Sequence, residues 1–306
     1  MRTHAKICQA PFTMYTHLPA LLIAALTLGS SASAAAIALR AAAARQAFTL
    51  TSSIFLENIA TRSNGNLLLT TLSYPRVYTV NPSQSLQPTI LATFDSPVAN
   101  SLSDIATKSG TNTTIWTMDL RGTRPTVRQV VQLPAGTMGN GLTTLTTAVN
   151  PGTVLVADTT LGQVWSVNVV SGVAKVVIKD DNMAPVAGGI PLGINGLRLQ
   201  GSYLYFINSS KLFAARIPIH RDGTASGAVE VLATGRLWIA SHVDAVDVVS
   251  SGGSQIVAVT GLNVSATDGG PTSCAFGRGN SLQEQILYVT TGGGNIFAVD
   301  TGLVAL

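Results

Sequence analysis

The sequence predicts an all-β protein, a six-bladed β-propeller, and three observations support this. Six short β-rich runs recur along the chain with centres about 44 residues apart on average, a spacing typical of propeller blades. Several runs pass through a short turn into a second alternating strand, which indicates hairpins. Amphipathic segments of helical length are absent between the runs, which argues against an alternating α/β fold. A β-sandwich with irregular strand spacing is the alternative. The runs centre on Leu68, Trp116, Leu155, Tyr205, Val257 and Tyr288.

A second recurring segment lies roughly ten residues ahead of each run. It begins with one or two polar residues and continues with small or apolar ones. We expect these segments to be the innermost strands of the blades, with their polar starts ringed around one mouth of a central channel. Residues 46–54 have no such unit and are predicted to supply the outer strand of the last blade, which closes the ring. The predicted inner strands begin near Glu57, Asp104, Asn140, Asn195, Asp244 and Thr272.

The composition favours a packed protein with few charges. Of the 306 residues, 46% are hydrophobic and 10% are charged, so the chain can bury a large core. The formal net charge is +4, but the sequence has no run of Lys and Arg and no basic stripe with interleaved aromatics. Nucleic acid is therefore not an expected partner. Small, apolar molecules are the partners that the resemblance described below implies.

The N-terminus has the pattern of a secretory signal peptide. Basic residues including Arg2 and Lys6 precede an apolar run over residues 18–28, and Ala32-Ser33-Ala34 then offers a cleavage site. The apolar run is too short for a bilayer span, so stable membrane insertion is not expected. We predict a signal peptide over residues 1–34, a single propeller domain over 35–306, and secretion. Met1 and Met14 are both possible starts.

Three N-glycosylation sequons fit the secretory pathway. They begin at Asn112, Asn208 and Asn263, and each is predicted to carry a glycan. The chain has two cysteines, of which Cys8 would leave with the signal peptide. Cys274 is then expected to remain unpaired, and a cysteine-based metal site is excluded.

Several residue runs resemble a known group of propellers. The runs are PLGINGL at 191–197, GSYLYF at 201–206, IPI at 217–219 and the Asp-Gly pair at 222–223. They resemble six-bladed propellers of the gluconolactonase/regucalcin/strictosidine synthase-like superfamily. HVDAVD at 242–247 and GPTSCAFGR at 270–278 are similar to its secreted fungal branch, which includes hetero-Diels–Alderases of tropolonic sesquiterpene biosynthesis. The resemblance spans roughly residues 45–305.

The resemblance also implies an alternative with a metal ion. Lactonases of that superfamily hold a divalent cation with a Glu of the first blade, two Asn and an Asp. The matching positions here are Glu57, Asn140, Asn195 and Asp244, whose oxygen donors suit Ca²⁺ or Mg²⁺. The chain departs from the lactonase pattern after Glu57, where Asn58-Ile59 stands in place of Gly-Pro. The main expectation is therefore no metal and no other cofactor.

The residues themselves suggest acid–base chemistry without a nucleophile. Glu57, His242 and Asp244 are the candidate catalytic residues, because carboxylates and imidazole at a channel mouth can transfer protons. Hydrogen bonds within the blades are the competing interpretation for each. A nucleophilic serine in a G-x-S-x-G turn is absent from the sequence, which disfavours a serine hydrolase. A further set of polar residues is predicted to hold substrate oxygens: Asn58, Asp104, Asn140, Asn195, Thr272 and Ser273.

Three functions follow as hypotheses. The first is an enzyme of fungal secondary metabolism that steers a stereoselective hetero-Diels–Alder cycloaddition between a tropolone-derived quinone methide and a sesquiterpene alkene. Such a reaction needs orientation and a few hydrogen bonds more than covalent catalysis. The second is a metal-dependent lactonase or related hydrolase. The third is a secreted propeller that binds a partner without catalysis.

Overall fold

A computed structural model describes residues 5–7, 44–50, 54–84, 86–94, 101–103, 106–109, 112–145, 151–189, 191–232, 237–241, 245–249, 255–262, 270–280 and 282–301. A short 3-10 helix covers Gln283–Gln285, and the described residues contain no α-helix. The strands, in chain order, are β1 Ala5–Ile7, β2 Ala44–Thr49, β3 Leu56–Thr61, β4 Leu67–Thr71, β5 Arg76–Val80, β6 Thr89–Thr93, β7 Ser101–Ser103, β8 Ala106–Ser109, β9 Asn112–Asp119, β10 Thr126–Gln132, β11 Gly139–Leu145, β12 Thr153–Asp158, β13 Gln163–Asn168, β14 Ala174–Lys179, β15 Ile194–Gln200, β16 Tyr203–Asn208, β17 Phe213–Pro218, β18 Glu230–Val231, β19 Leu237–Ser241, β20 Ala245–Val249, β21 Gln255–Val259, β22 Pro271–Phe276, β23 Ile286–Thr291 and β24 Asn295–Asp300.

The described strands form six antiparallel sheets of four strands each. Four sheets are each built from four strands that follow one another in sequence. Sheet I contains β3 to β6, sheet II contains β7 to β10, sheet III contains β11 to β14, and sheet IV contains β15 to β18. Sheet V has the order β1-β19-β20-β21, and sheet VI has the order β22-β23-β24-β2. Consecutive antiparallel strands need no crossover connections, so sheets I to IV are meanders. Sheets V and VI each combine three consecutive strands with one strand from the N-terminal part of the chain.

In sheets I, III, IV and VI the last strand is the least buried. In sheet III, β12 is buried along its whole length, whereas β14 exposes three of its six residues. In sheet I, four consecutive residues of β3 are buried, and β6 contains none that is buried. This gradient is the pattern of strands that run from a central channel to the protein surface.

The hydrophobic core lies between neighbouring sheets. Leu69 of sheet I packs in one cluster with Tyr288 of sheet VI, and Leu155 of sheet III packs with Phe206 of sheet IV. Further clusters join sheet I to II, sheet II to III, and sheet V to VI. Sheets packed face to face around an axis are the arrangement of a β-propeller, so the predicted all-β propeller class is confirmed.

The predicted outer strand of the last sheet is also confirmed. Strand β2 pairs antiparallel with β24, and Gln46 lies opposite Phe297. This strand comes from the N-terminal part of the chain, while its three partners come from the C-terminal part. The pairing ties the two ends of the propeller together and covers an edge that would otherwise expose unpaired backbone groups.

Two predicted inner strands are wrong. The residues from Ser241 onward were expected to form the innermost strand of a blade, but β19 and β20 are the second and third strands of sheet V. Its innermost position is taken by β1, which lies against β15 and β22. In sheet II, the segment 101–107 was expected to be one strand. It forms parts of two paired strands, β7 and β8, because the chain reverses between Ser103 and Ala106.

The position of β1 bears on the predicted signal peptide. Residues 5–7 lie within the segment 1–34, and they pair with residues 239–241 of β19. Cleavage after Ala34 would therefore remove one strand of sheet V. Cys274 is disulfide-bonded in this structure of the uncleaved chain. Its expected unpaired state depends on removal of residues 1–34, so it stays a prediction for the cleaved chain. The one other cysteine in the sequence, Cys8, lies outside the described residues.

A membrane-spanning helix was not expected from the sequence. Within the described parts of the chain, no helix has the length and hydropathy needed to cross a bilayer.

Candidate functional site

Four predicted site residues occupy equivalent positions in the structure. Glu57, Asn140, Asn195 and Thr272 are each the second residue of the innermost strand of a sheet. All four are buried, with exposed fractions of 6%, 6%, 1% and 4%. The predicted inner-strand starts are thus confirmed for sheets I, III, IV and VI. We call these four residues the polar ring.

A bulge at the start of each of these strands sets the direction of the polar side chain. The pairing register shifts between Leu56 and Asn58, and again at the starts of β11, β15 and β22. An extra residue in one strand bends it and re-aims a side chain, which is why bulges are frequent beside functional sites. The repeated bulge explains why polar residues recur at this position in strands that otherwise need apolar side chains.

Glycine allows two of these strands to approach closely. Gly141 and Gly196 follow the ring residues Asn140 and Asn195, and their φ angles are 99° and 62°. These angles lie in the left-handed region that glycine adopts without steric cost. A Cβ on Gly141 would lie 2.7 Å from the Cα of Gly196, so no larger residue fits. The two Asn-Gly pairs therefore lie side by side.

A hydrogen bond between residues that neighbour the polar ring joins two sheets. The Asn58 Oδ1 accepts hydrogen bonds from the Ile59 N–H at 2.8 Å and from the Ser273 hydroxyl at 2.7 Å. This second bond joins sheet I to sheet VI. The hydroxyl groups of Thr272 and Thr290 lie 3.0 Å apart. Asn58 and Ser273, both predicted to bind substrate, are thus brought together, and their mutual bond fixes the Asn58 carboxamide.

Asn195 leaves one polar atom unsatisfied. Its Nδ2 donates to the Ser209 hydroxyl at 3.0 Å, whereas its buried Oδ1 has no hydrogen-bond partner in the described structure. A buried acceptor without a partner costs free energy, so a bound group that satisfies it would be favourable. A cation bound by oxygen ligands would satisfy this Oδ1. Glu57 and Asn140, at the equivalent positions of their strands, would supply further oxygen ligands. The described residues contain no group of three or more His, Cys, Asp or Glu that could hold a metal.

Several predicted residues fall outside what the structure describes. Asp104, His242, Asp244 and Asn263 lie in undescribed segments, and only the backbone of Asn112 is described. Their predicted roles therefore stay predictions.

Asn208 does not fit its prediction as a glycan site. It is 1% exposed, and its Nδ2 donates to the carbonyls of Asn182 at 2.8 Å and Ala184 at 2.9 Å. Its Oδ1 accepts from the N–H groups of Ser210 and Lys211. A glycan on this nitrogen would break both donated bonds in a buried position. The structure instead gives Asn208 a structural role, in which it fixes the turn after β16.

A cavity of about 240 Å³ opens beside the polar ring. It is lined by residues of β3, β11 and β15, the innermost strands of sheets I, III and IV, and by residues of β4, β5 and β9. Its apolar lining residues are Ile59, Ala60, Leu68, Val77, Met118 and Leu142. Its polar lining residues are Asn58, Thr70, Thr143, Thr144 and Arg198. Apolar walls with a few convergent polar groups are typical of small-molecule sites.

Among the described residues, only one of the predicted site residues lines the cavity, and it lies next to the polar ring. Asn58 lines the cavity, whereas Glu57, Asn140, Asn195, Thr272 and Ser273 do not. Sequence reasoning missed Thr70 and Arg198. The signal that could have identified them is their position relative to predicted site residues. Thr70 pairs with Asn58 across two strands, and Arg198 lies three residues after Asn195 on the same inner strand.

One relative in sequence is similar to this chain over most of its length. It is a protein of Phoma sp. named "putative hetero-Diels-Alderase", 26% identical over 310 residues, which cover 82% of this chain and 86% of that protein. No protein-family profile matches the chain.

Solved structures share the fold. A gluconolactonase from Xanthomonas campestris has a TM-score of 0.59 at 16% identity, with 88% of this chain and 93% of that chain covered. Regucalcin from Agrobacterium tumefaciens has a TM-score of 0.55 at 18% identity, with coverage of 82% and 92%. Virginiamycin B lyase from Staphylococcus aureus has a TM-score of 0.54 at 10% identity, with coverage of 85% and 99%. At these identities the similarity establishes the β-propeller fold alone.

Proposed function

We propose that this chain is an enzyme that steers a hetero-Diels–Alder cycloaddition between a tropolone-derived quinone methide and a sesquiterpene alkene. The observation that carries the proposal is the cavity, whose walls are mainly apolar and whose polar groups are few. The relative from Phoma sp. supports the same reaction class. A cavity of about 240 Å³ is below the range of roughly 300–1,000 Å³ for drug-sized ligands, so it suits one small ring and not both reactants at once.

The chemistry places modest demands on the protein. In the cycloaddition, the oxygen and the terminal carbon of the quinone methide each form one σ bond to the alkene, and no atom leaves. The protein has to hold the ring in one orientation and stabilise the charge that develops on oxygen. Asn58 is suited to this role because it lines the cavity and its carboxamide is fixed by Ile59 and Ser273.

Formation of the quinone methide requires loss of water. The C–O bond of a hydroxymethyl group breaks, a ring hydroxyl loses its proton, and the leaving hydroxide takes up a proton. Glu57 precedes Asn58 at the bulge of β3 and is buried, so it is our candidate for this proton transfer. His242 and Asp244 remain candidates for the same step on the basis of the sequence.

We also propose that the six described sheets are the six blades of one closed ring. The clusters between sheets I and II, II and III, III and IV, V and VI, and VI and I support this order. Contacts of β1 with β15 support the remaining neighbour relation, between sheets V and IV.

A metal-dependent lactonase is the second candidate function, and one observation favours it. The unsatisfied Oδ1 of Asn195 is an oxygen donor that a Ca²⁺ or Mg²⁺ ion would satisfy, together with Glu57 and Asn140. Such an ion would polarise the carbonyl of a lactone or activate water. A tightly bound ion in the purified protein, and loss of activity on chelation, would support this function over the cycloaddition.

The cycloaddition proposal is tested by supplying both reactants with and without the protein. We expect the protein to accelerate product formation and to favour one stereoisomer. Equal rates and equal product ratios in both samples would reject it. Hydrolysis of simple lactones, measured on the same preparation, distinguishes the second candidate.

We propose further that the chain enters the secretory pathway, is cleaved after Ala34 and carries glycans at Asn112 and Asn263. Intact-mass measurement of protein made in a eukaryotic host should show loss of residues 1–34, glycosidase-sensitive mass and a free thiol on Cys274. A full-length chain with an oxidised Cys274 would contradict cleavage, and it would support retention of β1 as part of sheet V.

A further inference from the structure

A positively charged side chain lies among the apolar walls of the cavity. Of the described residues that line it, Arg198 is the one with a charged side chain. Arg198 is partly buried, and its Nη1 donates to the backbone carbonyl of Leu197 at 2.7 Å. This bond anchors one corner of the guanidinium group. Because guanidinium stays protonated and offers donors in a fixed plane, it suits two adjacent oxygens of a planar anion.

The cavity also contains a hydroxyl group, that of Thr70, which lacks a hydrogen-bond partner in the described structure. The Thr70 side chain is 7% exposed, and its Oγ1 is buried without a hydrogen-bond partner in the described structure. Thr70 also lines the cavity, opposite Asn58 in the pairing of β3 with β4. A buried hydroxyl without a partner is unfavourable in the empty protein, so a ligand oxygen that accepts its hydrogen bond recovers that cost.

From these observations we infer that the cavity selects a small ring that carries a delocalised oxyanion. Arg198 holds the charge, Thr70 donates a hydrogen bond to a ligand oxygen, and Leu68, Val77, Met118 and Leu142 pack on the ring faces. This inference deepens the proposed function and rests on it for the identity of the ring, since a tropolone anion has two adjacent oxygens on a planar seven-membered ring. The charge of the ligand, and not its apolar surface alone, then determines affinity.

Calorimetric titration with tropolone tests the inference, at a pH where tropolone is ionised. The methyl ether of tropolone is the neutral comparison ligand. We expect the wild-type protein to bind tropolone about 10- to 100-fold more tightly than the ether, as charge-assisted hydrogen bonds would require. Equal affinity for the two ligands would overturn the inference.

Substitutions at Arg198 and Thr70 test whether these residues produce the preference for ionised tropolone. Arg198→Gln should lose about 10- to 100-fold in tropolone affinity but little in affinity for the ether, and Arg198→Lys should recover part of the loss. Thr70→Val should weaken tropolone binding about 3- to 10-fold, while Thr70→Ser should not. Arg216→Gln is the matched control, because Arg216 lies on the same sheet but pairs with Glu230 outside the cavity. Tropolone binding that survives Arg198→Gln would overturn the inference.

The outcomes also separate this inference from the proposed function. Selective tropolone binding without accelerated cycloaddition would reject the function and retain the oxyanion site. Accelerated, stereoselective cycloaddition with unchanged tropolone binding in Arg198→Gln would reject the site and retain the function. Thermal unfolding of each variant checks that Arg198→Gln folds, and Arg198→Lys provides the test if it does not.

Discussion

Glu57→Gln is expected to slow product formation from the hydroxymethyl precursor by about 10²- to 10⁴-fold, the range typical of lost acid–base assistance, because Glu57 is the candidate for proton transfer in the loss of water that forms the quinone methide. The substitution preserves the shape of this buried side chain and removes its charge and its ability to exchange a proton. Stereoselectivity should persist, because orientation depends on the cavity, which Glu57 does not line. The measurement is single-turnover product formation together with the stereoisomer ratio.

The same variant distinguishes the two candidate enzymes. If Glu57 ligates a catalytic cation, Glu57→Gln should release the ion and abolish activity, because a neutral amide is a poorer ligand. Asn195→Ala is the companion variant, since it removes the unsatisfied Oδ1 and should also weaken a cation site. Chelator-insensitive turnover with a partly active Glu57→Gln protein would reject the lactonase. Full activity of Glu57→Gln would reject Glu57 as the proton-transfer group.

Asp158→Ala is expected to destabilise the fold by about 3–5 kcal/mol. The Asp158 carboxylate is completely buried and accepts four hydrogen bonds. Two come from the side chains of Gln163 at 3.0 Å and Trp165 at 3.3 Å. The other two come from the N–H groups of Met138 and Leu161. Its removal leaves all four donors without this acceptor, and the side-chain donors of Gln163 and Trp165 lose it in a buried place.

Chemical denaturation measures this loss as a shift in the unfolding midpoint. Asp158→Asn should cost less, because one acceptor oxygen remains. Asp119→Ala is the matched control, since the ion pair of Asp119 with Arg121 is exposed and contributes little. An Asp158→Ala protein within about 1 kcal/mol of wild type would show that this network does not anchor the start of β11.

The sequence predicted those parts of the site that depend on local pattern. Asn140-Gly141 and Asn195-Gly196 recur at the same place in their repeats, where a left-handed glycine follows a polar side chain at the bulges of β11 and β15. The outer strand β2 was predictable for a similar reason, since a propeller needs one strand from the other end of the chain to close.

Long-range pairing was not predictable in the same way. The partner of β19 is β1, more than 200 residues away, and a three-residue strand leaves no periodic pattern in the sequence. The hairpin of β7 and β8 is equally short, so the segment 101–107 looked like one strand. Thr70 and Arg198 converge on the cavity from different sheets, and their placement depends on how the sheets pack around the axis.

The most direct test of the central claim is to fill the cavity and measure the product stereoisomers. Ala60 lines the cavity on an exposed position of β3, so Ala60→Phe should occupy part of its volume of about 240 Å³ without disturbing the core. Ala187→Phe, on an exposed turn outside the cavity, is the matched control. We predict that Ala60→Phe abolishes the stereoisomer preference of the wild-type protein and that Ala187→Phe retains it. An unchanged isomer ratio and rate in a folded Ala60→Phe protein would contradict the assignment of the reaction to this cavity.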